Sequence, residues 1–287
     1  MAGIDDIVKS MRRLPPLPGA VARVVGLLSG GMCDLDEVRG LISQDEALAS
    51  AVLRVANSAA FGAPGRTFSL KDSLVRLGTS RLTQILLEQE MTPMLENAGS
   101  AYGLRRHAMW RGAIGGALAA ERIARDTGFA DHDLAFLCAL LRDIGKLALD
   151  SFLCSTAGSI PPAQGTTGFL QQEQSAFGTD HAQLGSMLAS RWGLPDQICK
   201  AIRYHHAPPS PGGEEHDTLF DIVHAADVVC LWAGLGTGCD GLAYELAPHV
   251  RETILPGHDR AERYIGELWT GISAIECART EAKGQSA

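Results

Sequence analysis

The residues with chemical capacity are concentrated in the second half of the chain. Arg142, Asp143 and Lys146 lie within "LLRDIGKLAL", His181 in "TDHAQL", His205 and His206 in "RYHHAP", and Asp227 in "HAADVV". Imidazole and carboxylate together are the ligand set of divalent-metal hydrolases, in which a bound ion supplies charge and an activated water. Any one of these residues alone is more often a satisfied structural group, so only the set points to chemistry. Helical spacing places Leu140, Leu141, Ile144 and Leu147 on one apolar face, with three charges riding on or beside it. Unpaired buried charge is expensive, so those charges need partners. Asp227 shares a helical face with Phe220, Val223 and His224, where it must be paired, hydrogen-bonded or bound to a cation. His181 follows Asp180 at a helix start, a place that more often lines an opening than a core.

The elements that position these residues read as helices almost everywhere, and no stretch alternates apolar and polar residues long enough to suggest a sheet. In the first half, "LPPLPGAVARVVGLLSGG" has a proline-rich entry followed by Val21, Val24, Val25 and Leu28 in register. Asp34 stands three residues before Glu37 in a capping-box pattern. "SQDEALASAVLRVANSAAFG" continues the period through Leu48, Val52 and Val55 and stops near Asn57 and Gly62. One helix is predicted from a Ser69 cap to Gly78 and another from Thr79 onward. In the second half, one helix is predicted from about Leu104 to Thr127, ending at Gly128, and a single helix from Asp133 to Phe152. "TDHAQLGSMLASRWGLP" has Leu184, Met187, Leu188 and Trp192 in register, and His205 and His206 close a helix whose face includes Ile198 and Ile202. The fold class is all-α: a helical subdomain over 1–98, a second over 99–278, and a small polar tail, 279–287, expected to be disordered.

Composition narrows the function classes. With 46% apolar and 20% charged residues, the 287-residue chain is an ordinary globular protein. A net charge of −8 argues against a broad nucleic-acid surface. The seven cysteines include no close pair and sit mostly in apolar segments, which suits reduced core residues and a cytoplasmic protein. No run approaches membrane-spanning length, and the acidic N-terminus has no signal-peptide core.

"LLRDIGKL" resembles the hallmark of the HD superfamily, leucines followed by His-Asp and then Ile-Gly-Lys. The chain as a whole is similar to the HDOD family, a branch whose members often have an impaired HD site. The likeness rests on "RRLPPLPGAVARVVGLLS", "LISQDEALASAVLRVANSAAFG", "ALLRDIGKLAL" with "GTDHAQLGSMLASRWGLP", and "AIRYHHAP". It implies that the second subdomain is an HD-like helical bundle. It also implies a pocket formed by Gly112, Arg142, Asp143, Lys146, His181, His205, His206 and Asp227. Arg142 stands where active relatives carry the motif histidine, and the place of the first histidine aligns with Gly112, near His107 and Arg111.

Guanidinium has donors only, so Arg142 cannot ligate a metal and would repel a cation held by Asp143. The remaining groups are too few for a two-metal centre. The expectation is therefore a site with no catalytic residue, no metal and no cofactor, in which Arg142 pairs with Asp143 or Asp227 in place of the ion. The resemblance implies a regulatory protein of bacterial signal transduction. Its partners would be signalling proteins of a two-component or cyclic-dinucleotide pathway, with input from a separate partner or a longer gene. Direct nucleic-acid binding and membrane contact are not expected. The alternatives are a metal-dependent phosphohydrolase related to the HD-GYP phosphodiesterases, against which "HHAPPSPGG" lacks the Gly-Tyr-Pro, and a module sensing a small anion or nucleotide through Arg142, Lys146 and the histidines.

Overall fold

The computed structural model describes residues 4–19, 21–23, 25, 39–40, 42–44, 46–56, 69–156, 158, 160, 169–239 and 245–284. Among them all regular structure is helical. The helices are α1 (Ile4–Met11), α2 (Glu46–Ala56), α3 (Leu70–Leu95), α4 (Ala108–Thr127), α5 (His132–Leu141), α6 (Gly145–Ser155), α7 (Phe169–Phe177), α8 (His181–Arg191), α9 (Asp196–Tyr204), α10 (Thr218–Trp232), α11 (Pro248–Thr253) and α12 (His258–Gly284). Among the described residues, no helix is long and apolar enough to cross a membrane.

The chain forms two compact units: residues 1–16 with 94–272, and residues 17–93 with 273–287. In the first, α4 packs along α5 and α10, α8 packs on α9 and α6, and α1 packs on α6. Ile7 and Met11 are buried on α1, which groups the N-terminus with the later helices. The segment 96–103 lies in this unit as a turn around a short 3₁₀ helix, Ser100–Tyr102. In the second unit, Val52 of α2 and Leu74, Leu82, Leu86 and Leu87 of α3 are buried. The predicted capping box at Asp34 and Glu37, and the stop near Asn57 and Gly62, fall outside the described residues.

Helix boundaries differ from expectation in informative ways. Ser69 caps α3 as its type predicts: its hydroxyl accepts from the Asp72 amide at 3.1 Å and donates to the Asp72 carboxylate at 2.6 Å. The two helices predicted on either side of Gly78 are, however, one helix, Leu70–Leu95. A glycine inside a helix costs only about 1 kcal/mol and stops it only by turning left-handed. Gly128 does turn, at φ 74°, and closes α4 as expected. That helix starts at Ala108 rather than near Leu104, because His107 itself adopts a left-handed conformation, φ 67°. The single helix predicted over 133–152 is two, α5 and α6, broken at 142–144. The last helix runs on to Gly284. Cys138, Cys199 and Cys230 are buried, whereas Cys154 and Cys277 are exposed and not core residues.

Candidate functional site

The break between α5 and α6 presents the HD-like motif. Amides three residues apart replace the α-helical spacing, with Ile144 N donating to Leu141 O at 3.1 Å and Lys146 N to Asp143 O at 2.9 Å. Immediately after the turn, α6 crosses α8 almost backbone to backbone. A Cβ on Gly145 would lie 1.8 Å from the His181 carbonyl oxygen and 2.5 Å from the Gly185 nitrogen. Gly185 is confined too, though less severely, with Ile202 Cγ2 at 2.8 Å and Gly145 N at 3.2 Å from its would-be Cβ. These two glycines bring His181, at the start of α8, to Asp143.

Arg142 is 2% exposed. Its Nε donates to Asp227 Oδ1 at 2.7 Å, and its Nη1 donates to the carbonyls of Gly112 at 3.0 Å and Ala139 at 2.9 Å. Nη2 lies 3.5 Å from Asp143 Oδ2. Burial disfavours the guanidinium charge, but Asp227 and Asp143 outweigh it and hold the group protonated. Gly112 meets the pocket through its carbonyl alone, because its Cβ would point at Gly236 Cα, 3.0 Å away. The position that faces the guanidinium is Gly116, one turn on, where a Cβ would lie 2.1 Å from Nη1. The resemblance places the vacant first position at Gly112, which meets Arg142 through its backbone carbonyl, while the missing side chain of Gly116 leaves room for the guanidinium. Two adjacent glycines at 115–116 inside a helix, a costly choice without a packing reason, were the available signal.

Asp143 sits between cations, with Lys146 Nζ 3.0 Å from its Oδ1. Burial pushes its carboxyl up, yet Lys146 and Arg142 outweigh burial and hold it well below the usual carboxylate range. Asp227 behaves likewise, burial being overcome by Arg142 and His206. His181 is fully buried rather than lining an opening, because Glu173 and Tyr102 close over it. Its Nδ1–H donates to Glu173 Oε2 at 2.7 Å, its amide donates to the same oxygen at 2.8 Å, and Tyr102 OH donates to Glu173 Oε1 at 2.7 Å. His181 Nε2 lies 2.9 Å from His206 Nε2, and His206 Nδ1 lies 3.3 Å from Asp227 Oδ2. Glu173 and Tyr102 thus belong to the site, and local sequence reading found neither.

The tautomers follow from these partners. His205 donates Nδ1–H to Ile202 O at 2.6 Å, leaving Nε2 with no hydrogen-bond partner, 4.0 Å from Asp143 Oδ1. His224 donates Nδ1–H to His205 O at 2.8 Å and accepts from Ala247 N at 2.9 Å, so its ring is neutral. Burial, with His206 beside it, depresses His205 far below the ordinary histidine value, and burial also depresses His206 and His224. For His181 burial opposes the charge, but Glu173 outweighs it and the pKa is raised. The shared proton then sits on His181, whose Nε2–H donates to His206.

A pH dependence of stability follows. Rings held neutral in the fold bind fewer protons than the unfolded chain below the ordinary value of about 6.5, so stability falls as pH drops from there. His181 works oppositely: its contribution is complete below about 6.5 and fades as pH rises through its raised value. Three neutral rings against one leave a net loss on acidification, each uncompensated proton contributing about 1.4 kcal/mol per pH unit. The urea midpoint should decrease between pH 7 and 5. A flat or rising midpoint would contradict the neutral assignments.

The pocket can be tested against the metals its chemistry suggests. Asp143, His181, His205 and His206 each present a ligand atom, all within 4.8 Å of one another, a set suited to one ion. A second ion does not fit, since the Arg142 guanidinium lies between Asp227 and Asp143. Even the single-ion position is already balanced by Lys146, Arg142 and the proton on His181. Arg142, Asp143, Lys146, His181, His205, His206 and Asp227 are thus brought into one cluster, with Gly112 contributing backbone only.

Comparison with known proteins gives a family and a fold. The HDOD domain family matches residues 14–208. An HDOD domain protein of unknown function from Geobacter sulfurreducens superposes with a TM-score of 0.70 at 25% identity, covering 96% of each chain. A Marinobacter aquaeolei VT8 protein named for signal transduction shares the fold, with TM-score 0.69 and 20% identity, over 99% of this chain and 65% of that one. An uncharacterized protein of Treponema pallidum (strain Nichols) is 27% identical over 231 residues, 78% of this chain. The chain spans only 42% of that relative's length.

Proposed function

We propose, given that the chain belongs to the HDOD family, that it acts in bacterial signal transduction as a non-catalytic HD-like module. In this reading it works in the cytoplasm through contacts with signalling proteins of a two-component or cyclic-dinucleotide pathway. The observation that carries the non-catalytic reading is the buried Arg142, whose bonds to Asp227, Gly112 O and Ala139 O put a fixed cation in the place of an ion. The name of the Marinobacter relative supports the signalling role. Arg142 and Lys146 already face carboxylates, which leaves the anion-sensing alternative little free positive charge.

A second reading, a metal-dependent phosphohydrolase, is favoured by the convergence of Asp143, His181, His205 and His206. An ion bound there would polarise a phosphoryl oxygen and activate water. Of this chain's own groups, Glu173 would orient His181 through Nδ1, and the Ile202 carbonyl would orient His205.

Hydrolysis assays separate the two readings. Wild-type protein should not turn over cyclic di-GMP or nucleoside phosphates with added manganese or iron, and measurable turnover would overturn the non-catalytic reading. The double variant Arg142→His, Gly116→His should bind at least one more metal equivalent than wild type, because it exchanges the guanidinium for two nitrogen donors in the same space. A variant stoichiometry equal to wild type would mean that position 116 does not face the pocket.

A further inference from the structure

Helix α10 carries a second buried carboxylate, Asp221, six residues before Asp227 and therefore about 120° away around the helix. Its side chain is 7% exposed and faces two imidazoles outside the HD-like pocket. His216 Nε2 lies 2.9 Å from Oδ2, and His249 Nε2 lies 3.0 Å from Oδ1. The two rings stand nearly edge to face, 6.2 Å between centroids. All three ligand atoms lie within 4.8 Å of one another. We propose that His216, Asp221 and His249 form a separate site for a divalent transition ion of the zinc class, with water completing the coordination.

The donor chemistry and the electrostatics both favour this. Two imidazole nitrogens and one carboxylate oxygen suit zinc, cobalt or nickel rather than calcium or magnesium, which take oxygen ligands. Zinc bond lengths near 2.1 Å place tetrahedral ligands about 3.4 Å apart, so whichever Asp221 oxygen ligates, its contact of 2.9 Å to His216 or 3.0 Å to His249 needs to open only slightly. Among the described residues, no arginine or lysine pairs with Asp221, in contrast to Asp143 and Asp227. His216 and His249 are 20% and 18% exposed, so the site is open to solvent on one side. Exposed Glu214 and Glu215 directly precede His216 and raise the local cation concentration.

The ligands come from three segments: the loop after α9, the first turn of α10, and the first turn of α11. Without metal, each Nε2–H can donate to Asp221 and the cluster is a plain hydrogen-bonded clamp. An ion would take the place of those two protons, each ring then carrying its hydrogen on Nδ1, and would tie the loop and α11 to α10 more firmly. This inference does not rest on the non-catalytic reading, because it uses none of the same residues.

The test is titration of the chelator-treated 287-residue chain with Co²⁺ and Zn²⁺, comparing wild type with His249→Gln, His216→Gln and His205→Gln. Expected is the loss of one metal equivalent, and of its visible Co²⁺ absorption, in His249→Gln and His216→Gln. His205→Gln should keep that equivalent, and zinc should raise its melting temperature as it does for wild type. The site is overturned if wild type binds no ion, if equivalents are lost only with His205→Gln, or if both His216→Gln and His249→Gln bind as many ions as wild type. Testing two variants, each at a partly exposed ring, keeps the result decisive should one of them misfold.

Discussion

Gly145→Ala should destabilise the chain by about 4 kcal/mol or more, an effect larger than most overpacking substitutions. The added Cβ would lie 1.8 Å from the His181 carbonyl oxygen, 2.5 Å from the Gly185 nitrogen and 2.8 Å from the His181 carbonyl carbon. All three are backbone atoms, so no rotamer change relieves the contact and α6 must move away from α8. That movement opens the gap between Asp143 and His181, so the histidine cluster should loosen together with the fold. Gly128→Ala is the matched control. Its Cβ meets nothing within 4 Å, although φ is 74°, so the cost should be only about 1 kcal/mol of left-handed strain. Urea denaturation measures both, and a Gly145→Ala midpoint close to that of Gly128→Ala would mean the helices do not cross so closely.

Asp227→Ala should cost about 3–5 kcal/mol, the usual penalty for orphaning one member of a buried ion pair. The carboxylate accepts from Arg142 Nε at 2.7 Å and faces His206 Nδ1 at 3.3 Å, so its loss leaves two buried donors short of an acceptor. Asp143, 3.5 Å from Nη2 and already paired with Lys146 at 3.0 Å, does not reach Nε, where Asp227 accepts. Removing both charges is a different matter. Arg142→Met with Asp227→Leu should recover much of the loss of either single variant, because no uncompensated charge remains. A single variant melting within error of wild type, or a double variant worse than the sum of the singles, would show that the pair is not the buried unit described.

The all-helical class was legible in the sequence because helical periodicity is local: apolar residues three and four apart mark a face whatever packs on it. The Ser69 cap and the Gly128 stop were legible for the same reason, since each involves atoms within a few residues. Even the partnership of Arg142 could be narrowed to two carboxylates, because a buried guanidinium among leucines must find one. The choice of Asp227, 85 residues away, was made by the crossing of α5 and α10.

The remainder was decided by how helices cross, which periodicity does not encode. Glu173 meets Tyr102 across 71 residues, and nothing in "FLQQEQSAF" distinguishes it from a solvated glutamate. Gly116 turns its open Cβ side to the guanidinium, and Gly112 only its carbonyl, because the rotation of α4 about its axis is set by its neighbours. The break at 142–144 interrupts an apolar pattern that continues through it, and the Gly145–Gly185 contact accounts for it only once both helices are in place. His216, Asp221 and His249 were unremarked in the sequence for the same reason. A loop, a helix start and a later short helix supply them, and only tertiary packing puts their ligand atoms within 4.8 Å.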